Sequence, residues 1–186
     1  MTTAFGEQPW PPTDLRDLYA GGFVDTINIA RDFTDVGRHA LPILQQHAVE
    51  ARPGAESYRY VRFGAAALAV TGFEPDNIRL EVFTGANIKP VEGFPTICSE
   101  WVSGHYARRG GAKAILAMAL AADPAYDVDD NERVGGLIMP CHRCCGWLAA
   151  DPLVHSNMPM RAASPDGHSV DFIVRDLLRW RGNAGL

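Results

Sequence analysis

The sequence predicts an α/β layered domain in which helices pack against a sheet. Some segments repeat apolar residues at helical spacing and others alternate them at strand spacing, and these two periodicities distinguish helices from half-buried strands. The predicted order is helix, two strands, helix, strand, helix, strand and helix, which is typical of layered α/β proteins. The chain has 186 residues, 47% of them hydrophobic, which is sufficient for one domain with its own core.

The first half of the chain is predicted to hold one helical region and two strands. We assign residues 1–24 to a partly irregular N-terminal extension, because three prolines interrupt its start. The domain proper is assigned to residues 25–186. A helical pattern runs from Asp25 to Arg52, and Pro42 is expected to break or kink it or to begin a second helix. The two strands follow as Tyr58–Val70 and Ile78–Thr84, with a loop between them.

The second half begins with a predicted helix from about Pro95 to Arg109, which a pair of glycines ends. Ala112–Ala122 is apolar throughout, so its periodicity leaves strand and helix both open. The other predicted elements are an exposed acidic loop over Asp123–Arg133, a short buried strand over Val134–Met139, a helix over about Pro140–Ala150, two short segments around a turn (Met158–Ala163 and His168–Phe172), and a closing helix over Val170–Trp180.

Charge and composition argue against several kinds of function. The formal net charge is −5, which disfavours the basic surface that binding to a nucleic acid polymer requires. No run of about 18 apolar residues exists to cross a membrane, and the N-terminus lacks a signal-peptide pattern. Three of the four cysteines fall within Cys141–Cys145, which indicates a metal cluster in a reducing compartment rather than a disulfide framework. We therefore expect a cytoplasmic protein.

Two short stretches carry the candidate chemistry: Thr-Ile-Cys-Ser-Glu at 96–100 and Pro-Cys-His-Arg-Cys at 140–144. Their cysteines, Cys98, Cys141 and Cys144, are the predicted ligands of a Zn²⁺ ion. Zinc with three protein ligands keeps a fourth position for water, whose pKa falls to near neutral. Both stretches precede predicted helices, where unpaired backbone N–H groups stabilise thiolates.

Glu100 is the predicted catalytic residue, since it lies two positions beyond the first ligand and can approach the metal without binding it. A carboxylate there can move a proton from the zinc-bound water to a leaving amine. Cys/His-x-Glu followed by Pro-Cys-x-x-Cys is the signature of zinc nucleobase deaminases.

These residues resemble the cytidine deaminase family. Residues 85–89 (Gly-Ala-Asn-Ile-Lys) and 96–100 are similar to the family's Gly-x-Asn-Val-Glu and Thr-Ile-Cys-Ala-Glu, at matching spacing. Residues 64–66 resemble its Val-Gly-Ala-Ala strand, residues 140–144 its Pro-Cys-Gly-x-Cys, and residues 176–178 its Glu-Leu-Leu. The resemblance extends roughly from Tyr58 to Trp180.

The resemblance implies a three-layer cytidine deaminase-like fold, with a central mixed sheet of about five strands between helices. Residues 25–186 would be a zinc-dependent deaminase domain acting on a free cytosine-type nucleoside or a modified analogue. Zinc hydroxide would attack C4, Glu100 would shuttle the proton, and ammonia would leave. Asn87 matches the family asparagine that binds the ribose, and Ser99 the alanine whose backbone contacts the base. A homo-oligomer, a dimer or a tetramer, is also implied.

The departures from the family concern the substrate. Lys89 stands where the family has the glutamate that binds the ribose hydroxyls, which suggests an altered sugar, a carboxylate or a phosphate. Blasticidin S deaminases also lack that glutamate, and they resemble this chain at Arg143. Cys145 and Gly146 replace the family's Arg-Gln, so we expect Arg143 to donate to the ligand sulfurs instead. Lys89 could equally be a solvated loop residue, with Glu92 replacing the missing carboxylate.

Other functions remain open on the sequence alone. Cys145 could close the site as a fourth ligand and make the zinc structural, although adjacent cysteines rarely both reach one tetrahedral ion. The chain would then be a non-catalytic, zinc-stabilised binding domain. The same fold could also deaminate another base, a purine or a pterin.

Overall fold

A six-stranded mixed sheet forms the centre of the structure, a computed structural model that describes residues 3–4, 34–53, 61–74, 77–88, 96–123, 133–134 and 137–183. The helices are α1 (Thr34–Ala51), α2 (Ser99–Arg109), α3 (His142–Ala150) and α4 (Val174–Asn183). The strands are β1 (Thr3–Ala4), β2 (Phe63–Glu74), β3 (Asn77–Ala86), β4 (Ala114–Ala122), β5 (Arg133–Val134), β6 (Leu137–Ile138), β7 (Pro159–Ala163) and β8 (Ser169–Ile173).

The strands of the main sheet lie in the order β1-β3-β2-β4-β7-β8, and β5 pairs with β6 in a separate two-stranded sheet. β4 and β7 are parallel, whereas the other neighbours in the main sheet are antiparallel. Helix α1 packs on one face, and α2, α3 and α4 contribute to the core on the other. The predicted three-layer fold with about five strands is confirmed; the sixth strand, β1, has two residues.

Strand β4 shows why its sequence pattern was ambiguous. All nine of its residues are buried, because it lies between β2 and β7 with a core cluster on each face. A strand that is covered on both faces has no polar positions to alternate with apolar ones. On the neighbouring strand, a Cβ at Gly64 would lie 1.9 Å from the carbonyl oxygen of Ala48, so glycine permits α1 to approach the sheet closely.

Several predicted element boundaries were wrong. Pro42 does not divide the first helical region, because it lies exposed inside the continuous helix α1. The loop predicted after Val70 is shorter than expected, since β2 continues to Glu74. The buried strand predicted over Val134–Met139 is shorter, since β6 covers only Leu137–Ile138, and it pairs with β5.

Two helices begin later than predicted, in both cases because the preceding residues pair as strands. Helix α2 begins at Ser99 rather than near Pro95, since Ile97 forms an antiparallel bridge with Ile88. Helix α4 begins at Val174, because residues 169–173 pair with β7.

Several predictions lie wholly or partly outside the described residues, among them most of the acidic loop predicted over Asp123–Arg133. The boundary between residues 24 and 25 falls in the undescribed stretch 5–33, and Lys89 and Glu92 fall in 89–95. Within the described part of the chain, no helix combines the length and the apolar character needed to cross a membrane.

Candidate metal centre and active site

The two cysteine-containing stretches, 96–100 and 140–144, each place a cysteine at the start of a helix. Cys98 is the N-cap of α2 and Cys141 is the N-cap of α3, and both have extended backbone conformations (φ −71°, ψ 147° and φ −68°, ψ 168°). Neither side chain caps its own helix by a hydrogen bond. Cys144 follows in the first turn of α3. Two helix N-termini therefore converge on one point with their thiols turned toward each other.

The three sulfur atoms form a compact cluster. The Sγ atoms of Cys98 and Cys141 are 3.7 Å apart, and those of Cys141 and Cys144 are 3.6 Å apart. All three lie within 4.8 Å of one another. These separations exceed the roughly 2.05 Å of a disulfide, but they match the sulfur–sulfur distance of about 3.8 Å that tetrahedral zinc–thiolate bonds of about 2.3 Å require.

The electrostatics of the cluster also fit a cation. Hydrogen bonding with the Cys144 and Cys98 side chains lowers the pKa of Cys141. The same hydrogen bond to Cys141 raises the pKa of Cys144, and burial adds to that rise. The hydrogen bond between Cys98 and Cys141 is the largest cause of the raised pKa of Cys98. The three thiols thus perturb one another strongly in the bare cluster, and a divalent metal ion is what would ionise all three.

Glu100 lies beside the cluster in the first turn of α2 and is only 4% exposed. Its Oε2 accepts a hydrogen bond of 3.0 Å from the hydroxyl of Ser99, which is itself fully buried. Burial raises the pKa of the Glu100 carboxyl. The hydroxyl of Ser103 donates to the backbone oxygen of Glu100 at 3.0 Å, so both the backbone and the side chain of this residue are fixed. A carboxyl whose pKa is raised in this way is suited to take up and return a proton.

A cavity of about 290 Å³ opens onto the cluster and Glu100. Its walls are largely apolar and carry a few polar groups, as is usual for a small-molecule site. Apart from the three cysteines, its lining residues are Val61, Phe63, Asn87, Thr96, Ser99, Glu100, Ile138 and Met139.

Asn87 closes one wall of this cavity through its side-chain amide. Its Oδ1 accepts a hydrogen bond of 2.9 Å from the backbone N–H of Phe63, and its Nδ2 donates one of 2.9 Å to the carbonyl of Val61. An asparagine amide has a second N–H and a second lone pair. Asn87 therefore shapes the cavity wall and keeps capacity for a ligand, and its contact with a sugar stays a prediction.

The other candidate residues are placed as follows. Arg143 is exposed, and its influence on Cys141 comes from its backbone N–H, which helps to lower that pKa. Cys145 is buried and lies outside the three-sulfur cluster, with its Sγ 3.7 Å from the carbonyl oxygen of Pro140. Burial raises the pKa of Cys145 to about 11, although the charge of Arg181 opposes that rise.

Arg181 is the main residue near the site that sequence reasoning missed. An arginine in the last turn of a charged C-terminal helix carries no sequence signal that separates it from its exposed neighbours. Ile138 and Met139 were missed as lining residues for a similar reason, since they were assigned to a buried strand.

The fold and the site together define a layered α/β domain with a candidate zinc centre at two helix N-termini. Among solved structures, the cytidine deaminase of Burkholderia pseudomallei is similar, with a TM-score of 0.51 and 18% identity over 73% of this chain and 94% of that chain. The predicted cytidine deaminase-like fold is therefore confirmed.

Two further cytidine deaminases are also similar. That of Mycobacterium tuberculosis has 25% identity and a TM-score of 0.46 over 74% of this chain and 92% of that chain. That of Mycobacterium leprae has 19% identity and a TM-score of 0.45 over 74% of this chain and 95% of that chain. No protein-family model matches the chain, and no curated protein matches its sequence.

Proposed function

We propose that this protein is a zinc-dependent hydrolase that removes the amino group from a free cytosine-type nucleoside or a modified analogue. One observation carries the proposal: three thiols at zinc-binding separations and a buried carboxylate share the wall of one small cavity. A purely structural zinc site needs neither the cavity nor the carboxylate. The fold shared with cytidine deaminases is consistent with the same reaction.

Cys98, Cys141 and Cys144 would hold the zinc ion, which in such a site makes water a nucleophile near neutral pH. In the net reaction, a water oxygen bonds to C4 of the base and the C4–N bond breaks, so that ammonia leaves. Glu100 takes the first proton of the water and delivers it to the ring nitrogen. It then takes the remaining proton from the hydroxyl added at C4 and supplies it to the leaving nitrogen, and C4 keeps the oxygen as a carbonyl. The apolar wall excludes bulk water from these steps.

The substrate side of the proposal rests on Asn87 and Lys89. The free hydrogen-bonding capacity of Asn87 is available to a sugar hydroxyl. Lys89, a cation where the family has a glutamate, selects a modified sugar or an anionic group. In this proposal, Lys89→Glu raises turnover of plain cytidine relative to the native substrate. If the ratio of the two turnover rates does not change, Lys89 does not select the substrate.

The proposal also covers the cellular compartment and the oligomeric state of the enzyme. All four cysteines are free of disulfides, which suits a reducing compartment such as the cytoplasm. The resemblance to cytidine deaminases favours a homo-oligomer, a dimer or a tetramer, which analytical ultracentrifugation tests.

Ammonia release by zinc-loaded protein across a panel of bases and nucleosides is the test. The panel holds cytosine, cytidine, deoxycytidine, their monophosphates, blasticidin S, adenosine and guanine, and the metal content of each preparation is measured alongside. We expect about one zinc per chain and turnover of one cytosine-type member. Glu100→Gln should retain zinc and lose about 10²- to 10⁴-fold of the rate, the usual contribution of acid–base catalysis.

Three results would each contradict a part of the proposal. Zinc binding without ammonia release from any member would favour the zinc-stabilised binding domain. Turnover of adenosine or guanine alone would move the activity to another base. A Glu100→Gln protein that keeps most of its activity would remove Glu100 from the mechanism.

A further inference from the structure

A buried arginine from the last helix lies against the loop that carries two of the candidate ligands. Arg181 is 3% exposed, and no other lysine or arginine in the described part of the chain is buried to this degree. It occupies the last turn of α4, where the carbonyl end of the helix favours a cation. A guanidinium is costly to bury unless its donors are satisfied, so its partners indicate its role.

One partner of Arg181 is the peptide bond that leads into the first ligand of α3. Its Nε and Nη2 both donate to the carbonyl oxygen of Pro140, at 3.1 Å and 2.6 Å. Two donors from one rigid guanidinium fix the direction of that carbonyl. The carbonyl belongs to the Pro140–Cys141 peptide, and Cys141 is the N-cap of α3. Rotation of this peptide would therefore displace the Cys141 thiol.

Arg181 acts on the loop rather than on a bound substrate. It is not among the residues that line the cavity. Its guanidinium carbon lies 4.7 Å from the ring centre of Trp180, which keeps the side chain in place. Three thiolates carry more negative charge than a divalent metal ion neutralises, so a permanent cation behind the loop would stabilise the loaded centre.

We propose that Arg181 is a positioning residue of the metal centre: by holding the Pro140 carbonyl, it orients the Cys141 thiolate toward the metal and places a fixed positive charge behind the ligand loop. This inference rests on the zinc site of the proposed function. It concerns a residue that makes no contact with the reacting atoms, so its effect is on metal binding first and on turnover only as a consequence.

The test compares Arg181→Lys, which keeps the charge but not the planar fork, with Arg181→Gln, which keeps a donor but not the charge. Arg179→Gln is the matched control, because its side chain lies on the same helix and is 71% exposed. Zinc affinity is measured by competition with a chromophoric chelator, and the ligand geometry by the absorption bands of the Co²⁺-loaded protein. The thermal midpoint of the metal-free protein is recorded for each variant.

Both Arg181 variants should bind zinc about tenfold or more weakly than the wild type, as loss of a residue that orients a metal ligand usually does. Their cobalt–thiolate absorption should change as well, while Arg179→Gln matches the wild type in both measurements. If Arg181→Gln does not fold, Arg181→Lys decides by the same two criteria.

A lower thermal midpoint with wild-type zinc affinity and an unchanged cobalt spectrum would overturn the inference, because Arg181 would then only support the core. Wild-type protein that binds no zinc would overturn the proposed metal site itself, and this inference with it. The two failures are separate, since the first requires a wild-type protein that binds zinc normally.

Discussion

The hydroxyl of Ser99 donates a hydrogen bond of 3.0 Å to the carboxylate of Glu100, and both side chains are buried. This hydrogen bond ties the proposed proton carrier to its neighbour on the first turn of α2. The Ser99 side chain is therefore in direct contact with the proposed proton carrier.

Ser99→Ala should lower turnover about tenfold, because a hydrogen bond to a charged group contributes roughly 1.5–3 kcal/mol and about 1.4 kcal/mol is a factor of ten in rate. The hydrogen bond from Ser99 lowers the pKa of Glu100. Its loss raises that pKa, so the acidic limb of the pH–rate profile should move to higher pH. Steady-state kinetics across pH measure both effects.

Ser103→Ala is the control for this prediction, since Ser103 is equally buried and donates to the backbone oxygen of Glu100 rather than to its carboxylate. It should lower stability by about 1 kcal/mol and leave the pH–rate profile in place. Equal shifts in the two variants would show that α2 as a whole, not the carboxylate contact, sets the profile.

Asn87→Ala should destabilise the fold and weaken nucleoside binding. The change leaves the backbone N–H of Phe63 and the carbonyl of Val61 without their side-chain partner, at roughly 1–3 kcal/mol for each group that stays buried. If Asn87 also binds the sugar, kcat/KM for the nucleoside falls more than kcat/KM for the free base. Urea unfolding and this kinetic ratio separate the two roles, and a fall of equal size for both substrates would limit Asn87 to shaping the wall.

Asp123→Asn tests an ion-pair cluster that the sequence did not reveal. Asp123, predicted to begin an exposed loop, is 19% exposed at its side chain and pairs with both Arg52 and Arg62. The cluster joins the end of α1, the start of β2 and the end of β4. We expect a loss of roughly 1–3 kcal/mol in unfolding free energy, because two partly buried guanidinium groups lose their carboxylate.

Asp171→Asn is the matched comparison, since Asp171 is 50% exposed and pairs with Arg161 at 2.6 Å. A pair with one exposed member should contribute about 0–1 kcal/mol. Urea unfolding of the two variants measures the difference, and an Asp123 variant as stable as the Asp171 variant would show that the cluster contributes little.

The candidate metal centre could be predicted from the sequence because each half of it is a short local motif. Cys98 with Glu100, and Cys141 with Cys144, are pairs whose spacing on a helix start is set by a few residues. Strand β4 could not be distinguished from a helix, because burial on both faces removes the pattern that periodicity detects.

The contacts that the sequence could not supply are long-range. Arg181 reaches a carbonyl 41 positions earlier in the chain, and Asn87 is bonded to backbone groups 24 and 26 positions away. A buried arginine and a surface arginine have the same local sequence context in an amphipathic helix. Only the packing of α4 against the ligand loop distinguishes them.

Gly104 packs closely against Trp147, between the two helices that carry the halves of the candidate metal centre. Gly104 lies on α2, which carries Glu100 and follows Cys98, whereas Trp147 lies on α3, which carries Cys144. A Cβ at Gly104 would lie 2.3 Å from the indole ring. The ring has little freedom to move away, because its Nε1 donates to Asp151 at 2.8 Å.

Gly104→Ala should therefore push α2 and α3 apart and weaken zinc binding as well as stability. Gly146→Ala is the matched control, since a Cβ at Gly146 on α3 meets no atom within 4 Å and alanine favours a helix over glycine by about 1 kcal/mol. We expect a lower thermal midpoint and a zinc affinity at least about tenfold weaker for Gly104→Ala, with a midpoint equal to or above the wild type for Gly146→Ala. Chelator competition and thermal unfolding measure both. Normal zinc affinity in a destabilised Gly104→Ala protein would mean that the ligand loops adjust independently of the helix spacing.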